Sequence, residues 1–225
     1  MSDTFDFLDG MGTGFEGMTS KDMATPFLSM VQPGNQSGDD PGQWKNSATG
    51  ELFGPSVEVI PVGFKTFWSE RENVAPYATV GRYEPGSIEI EERPPKGGKG
   101  YPIMINPKTG NQIQELFMYA VVLKDRPEDG VLLFCPTVMS MRACKSWNTK
   151  MRARRLPNGN PAPIFGYSWR LTLSLVQNPA RASEKLAALT TTDIGEVMDQ
   201  RLFEAAVKPV LSQAHNVLLL EEASE

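Results

Sequence analysis

The chain has 225 residues, 40% of them apolar, and is acidic overall, with 27 Asp+Glu against 22 Lys+Arg, so it can build one medium core but not comfortably two. It has no apolar run long enough to cross a membrane, and MSDTFDFLDG at the amino end is acidic where a secretion signal is basic, which reads as a soluble cytosolic protein. A single histidine, His215, and two cysteines, Cys135 and Cys144, with neither CxxC spacing nor a nearby histidine, argue against zinc, a disulfide scaffold and histidine catalysis; the reading is a non-enzyme without a cofactor.

Residues 1–24 set five carboxylates against Lys21 alone and read as a disordered acidic tail. GTGFEG within it has the spacing of a dinucleotide-binding turn, but no strand precedes it, so the match is accidental. ATPFLSMVQPG predicts a short helix capped by Thr25, opened by Pro26, and docked through Phe27, Leu28 and Val31. From Trp44 to Phe134 short runs rich in branched and aromatic residues, separated by turns such as NPKTGN and RPEDG, predict strands. QELFMYAVVLK is apolar on both alternating faces and is expected to be central, whereas SIEIEER places Glu89 and Glu91 on the solvent face of an edge strand.

TVMSMRACKSWNTKMRARR predicts a helix with Thr137 as its cap. Val138, Met141, Cys144, Trp147 and Met151 would share its apolar side, with Arg142, Lys145 and Arg152 along the flank. FGYSWRLTLSLVQ then alternates with period two: Phe165, Tyr167, Trp169, Leu171, Leu173 and Leu175 on one face, Arg170 and small residues on the other. RASEKLAALT and DIGEVMDQRLFEAAVKPVL predict helices. The domain so delimited runs over residues 25–212, followed by an acidic tail over 213–225.

Charge is unevenly placed. From Gly130 to Ser183 there is no Asp or Glu, and eight cations give that segment +8. A basic segment interleaved with aromatic rings suits a single-stranded nucleic-acid groove, in which cations follow phosphates and flat rings accept any base. The candidate binding residues are Arg142, Lys145, Trp147, Lys150, Arg152, Arg154, Arg155, Tyr167, Trp169 and Arg170, with Lys96 and Lys99 in the glycine-rich loop ERPPKGGKG able to close over a strand. The competing reading is core packing, since Tyr167 and Trp169 share their face with three leucines and Trp147 lies at the edge of its helix's apolar side. PPKGGKGYP fails the phosphate-loop pattern, and no E-x-K triplet of a metal-dependent nuclease occurs.

The order TPFLSMVQPG, GELFGPSVEVIPVGFKTFWSER, CKSWNTKM and FGYSWRLTLSLVQN, over roughly Pro26 to Asn178, resembles a family of small tailed-bacteriophage proteins, some described as single-stranded-DNA-binding proteins of phage replication. The resemblance implies an oligonucleotide-binding (OB-like) β-barrel with Lys145, Trp147 and neighbouring cations near the binding surface. It also implies an acidic C-terminus, here Glu221, Glu222 and Glu225, that recruits replication proteins, although this chain ends in LLLEEASE without the aromatic residue such tails often carry. The expected fold class is therefore α+β, mainly β, with helices flanking the barrel. The expected function is coating of single-stranded DNA in replication or recombination in the host cytoplasm, by a protein that self-association would suit. The alternative is a phage interaction protein whose basic face meets an acidic host or virion protein.

Overall fold

The computed structural model describes residues 26–34, 37–73, 78–94, 102–178, 181–211 and 214. The 1–24 tail, Thr25, Lys96, Lys99, His215 and the acidic Glu221, Glu222 and Glu225 lie outside them. In chain order the strands are β1 (Leu28–Met30), β2 (Trp44–Asn46), β3 (Leu52–Gly54), β4 (Ser56–Arg71), β5 (Thr79–Tyr83), β6 (Glu91–Arg93), β7 (Ile103–Ile105), β8 (Gln112–Leu123), β9 (Leu132–Phe134), β10 (Tyr167–Asn178) and β11 (Arg181–Val197). One regular helix, α1 (Met141–Arg152), lies between β9 and β10, and a helical segment of changing pitch covers Gln200–Val210. The fold is α+β and mainly β.

The centre is the antiparallel ladder of β4 and β8, paired from Val59–Leu123 to Arg71–Gln112. Pro61 is accommodated at an irregularity before Gly63, where the missing N–H interrupts nothing. The large sheet runs β11-β10-β4-β8-β7-β6, with β5 also on β4 and β9 also on β8, while β1-β2-β3 form a second sheet. Among the described residues the large sheet ends at β11 and β6 without their pairing, so these strands do not close into the expected barrel. β6 is the edge strand foreseen from SIEIEER, with Glu91 gripping Arg93 at 2.9 Å.

The sheet is buried on both faces, as the doubly apolar pattern of β8 requires. On one face Val57, Val59, Tyr119, Val121, Trp169 and Leu171 pack with Cys144 and Trp147 of α1 and with Leu28 and Trp44 of the small sheet. On the other, Ile60, Val62, Met118, Ala120 and Val122 pack under Ala206, Val207 and Val210. Complete burial of side chains this large contributes about 2–3 kcal/mol each, which makes these two layers the main source of stability.

Four expected helices change character, wholly or in part. ATPFLSMVQPG contributes β1 instead, because Leu28–Met30 pairs with Trp44–Asn46 and Phe27 bridges Leu133. RASEKLAALT and the start of the next segment form β11, where pairing with β10 overrides the helix propensity of Glu184, Lys185, Leu186 and the alanines. The helix after β9 opens with a tight turn, Val138–Ser140, and its regular part stops at Arg152; Thr137 makes no side-chain cap bond, and Val138 is 54% exposed instead of docked.

Two details fix the periphery. The outer edge of β11 is covered by side chains: Gln32 bonds both the N–H and the C=O of Ala187 (2.9 Å each), Ser140 Oγ accepts from the Leu189 N–H (2.9 Å), and Lys150 Nζ donates to the Thr192 carbonyl (2.5 Å). At the far end of the central ladder the carboxylate of Glu70, 1% exposed, accepts from Thr109 (2.5 Å), Asn106 (2.9 Å), Asn111 (2.8 Å) and Tyr83 (2.8 Å). Burial alone would raise its pKa, but these four donors outweigh it and bring the group down to about 2.

Candidate nucleic-acid interface

The helix α1 lies across the sheet with Cys144 and Trp147 inward. At about 100° per residue, Arg142, Lys145 and Arg152 then fall within one narrow outward sector, all three exposed. None of the three has an ion-pair partner among the described residues. The cationic flank expected from sequence is therefore present and electrically open.

Four further cations of the segment, Lys150, Arg154, Arg155 and Arg170, are engaged within the protein. Lys150 seals β11 through Thr192. Arg155 donates to the Arg152 and Arg154 carbonyls (2.9 Å each), and so satisfies the Arg152 acceptor that the end of α1 leaves free. Arg154 is half-buried with its guanidinium 5.7 Å from the Tyr167 ring centre and 6.0 Å from that of Trp169, a packing position against aromatic faces. Arg170 projects from the opposite side of β10 and ion-pairs Glu58 at 2.6 Å. Lys124 holds the same carboxylate at 2.9 Å and also reaches Glu196 at 3.1 Å. The hydrogen bonds from Lys124 and then Arg170 lower the pKa of Glu58, and Glu58 in turn raises that of Lys124. The neighbouring cleft, lined by Glu58, Asp125, Arg126 and Arg170, mixes both signs.

The aromatic part differs from expectation. Trp147 and Trp169 are 0% and 1% exposed, inside the core; Trp147 stacks on Tyr119 with ring centres 4.7 Å apart and meets Trp169 edge-on at 6.3 Å. A ring enclosed on its faces cannot accept a base, so neither tryptophan is a stacking platform. Tyr167 is half-buried, its hydroxyl donating to the Arg155 carbonyl at 3.3 Å. The open ring beside α1 is Phe64 of β4, 39% exposed and backed by Tyr119 (5.1 Å) and Phe117 (5.4 Å). Two positions on along the same face, past Thr66, stands half-buried Trp68, the one tryptophan of four not enclosed. Exposed Glu115, paired with Trp68 across the ladder, marks the far limit of the cationic surface. The sequence signal for these rings was the alternation in FKTFW, which sets Phe64, Thr66 and Trp68 on one face.

Phe64 forms one wall of a cleft of about 420 Å³ with Asn148, Met151 and Arg152 of α1 and Ala162 and Ile164 of the following loop. Its walls are apolar apart from Asn148 and Arg152. Asn148 is held from below: the hydroxyl of buried Tyr119 donates to its Oδ1 at 2.9 Å. Burial pushes the pKa of Tyr119 up, and burial likewise pushes the neighbouring Cys144 thiol up to about 12, so both groups keep their protons and the Tyr119 hydroxyl remains a donor. This fixes the amide of Asn148 with its oxygen inward.

The chain belongs to the Pam3 phage gp34-like protein family, which it matches over residues 1–216, and is thus a phage protein. No curated protein and no solved structure matches it. Among the described residues no helix is long and apolar enough to cross a membrane.

Proposed function

We propose that this phage protein binds single-stranded DNA along the outer side of α1 and across Phe64. The observation that carries the reading is the conjunction of Arg142, Lys145 and Arg152, none with an ion-pair partner among the described residues, and an exposed ring at the end of their stripe. Cations without carboxylates bind phosphate by releasing counterions, and an exposed ring accepts bases without regard to sequence. The surface is a face of an open sheet and its covering helix, so the binding needs no closed barrel. Lys150, Arg154, Arg155 and Arg170 support the architecture around it.

The test is titration of a labelled single strand over a range of salt, read by fluorescence anisotropy. Three phosphate contacts give a slope of log affinity against log salt of about −2, from roughly −0.7 per contact. Duplex of the same length should bind more weakly, because its bases cannot reach Phe64. Equal affinity for duplex, or no binding at low salt, overturns the reading and turns attention to an acidic protein partner for the same helix.

A further inference from the structure

Resting on the single-strand reading, we infer that the cleft beside Phe64 holds one nucleobase and prefers guanine. A cleft of about 420 Å³ lies in the size range of small-ligand sites, and its composition, apolar walls with two convergent polar groups, is that of a site which orients a flat, apolar-faced ligand. Phe64 supplies the stacking face.

The polar groups decide which base. Arg152 carries only donors. Asn148 would ordinarily offer one donor and one acceptor, the combination that pairs with adenine N6 and N7. Here its Oδ1 is turned toward the buried Tyr119 hydroxyl and accepts from it, while its Nδ2 has no partner among the described residues. The cleft therefore presents donors from both polar side chains. Guanine N7 and O6 are adjacent acceptors with no donor between them, and they match that set. Adenine brings its N6 amino group against a donor, and cytosine does the same with N4. The selection thus originates in the core: Tyr119, kept protonated by burial, sets the direction of an amide on the surface.

The experiment compares strands of equal length in which thymine alternates with guanine, adenine or cytosine, each titrated against the full chain. The guanine strand should bind tighter than the adenine strand by about tenfold, the lower part of the range for one good two-donor contact. Asn148→Asp keeps an acceptor for Tyr119 but turns the outward donor into an acceptor, and should bring the guanine-to-adenine ratio to one or below. Arg152→Lys, at an exposed position that threatens no packing, replaces the planar fork by a point charge and should lower the same ratio. Arg142→Ala, one to three turns away from the cleft residues, should weaken every strand alike and leave the ratio intact. Strands that all bind equally well to the parent protein overturn the guanine site while leaving single-strand binding standing. A preference that survives both Asn148→Asp and Arg152→Lys overturns it as well, and binding of no strand removes the site together with the function it rests on.

Discussion

Arg152 and Arg170 come from the same carboxylate-free stretch of sequence, and the fold gives them opposite surroundings. Arg170 meets Glu58, a residue 112 positions earlier in the chain, which Lys124 also holds; its charge is answered within the protein. Arg152 stands with Arg142 and Lys145 on a helix flank that no carboxylate among the described residues approaches through an ion pair. A run of like charge in sequence is therefore no measure of available charge. What counts is which strand lies next door, and β4 brings its glutamate to β10 but turns Phe64 toward α1.

The contrast between enclosed and open groups is sharpest for the tryptophans. Trp147→Ala should cost about 3–5 kcal/mol of folding stability in denaturant unfolding, as expected for a large core side chain, whereas Trp68→Ala should cost clearly less. Equal losses would show that Trp68 is as much core as Trp147 and would remove it from the binding face.

Next in size is a carboxylate answered by neutral donors alone among the described residues. Glu70 has its folded pKa lowered from 4.5 to about 2, so its contribution is fully present above pH 4.5 and is lost as the pH falls from there toward 2. At about 1.4 kcal/mol per unit the contribution has an upper bound of about 3.5 kcal/mol. Glu70→Gln should flatten the acid limb of the stability profile; a limb as steep as the parent's would assign the acid sensitivity to Glu58 and its pairs.

The two arginine environments can then be compared directly. Replacing Arg142, Lys145 and Arg152 together by alanine should remove the salt slope of about −2 and lower affinity about a hundredfold at 0.1 M salt. Arg170→Ala should leave the slope unchanged and shift stability by less than about 1 kcal/mol, because Arg170 itself is exposed and Lys124 still answers the Glu58 carboxylate. If Arg170→Ala flattens the slope as one phosphate contact would, the ion pair opens on binding and the division between the two environments fails.

Periodicity made the central strand, α1 and β10 legible, since each has a long pattern with one period: β8 apolar on both faces, α1 with Cys144 and Trp147 inward, β10 with Trp169, Leu171 and Leu173 in line. β11 was misread because its residues favour helix and only the partner strand decides otherwise. The cationic flank of α1 was readable from spacing, but the separation of Arg152 from Arg154 and Arg155 was not, since it depends on where the helix ends and on which rings lie against it. Phe64 escaped notice for a related reason: FKTFW alternates, yet nothing in it tells which apolar position the covering helix leaves bare.

The side-chain seal on β11 has a consequence for the order of assembly. Ser140 and Lys150 reach Leu189 and Thr192 only once α1 has settled on the sheet, and Gln32 reaches Ala187 only once the small sheet is in place. Until then β11, paired with β10 on one side only, leaves its outer edge uncovered and able to add to a neighbouring chain. Folding of this protein thus contains an interval of vulnerability to aggregation that closes when α1 docks, and the same lysine that is withheld from the open surface is what closes it.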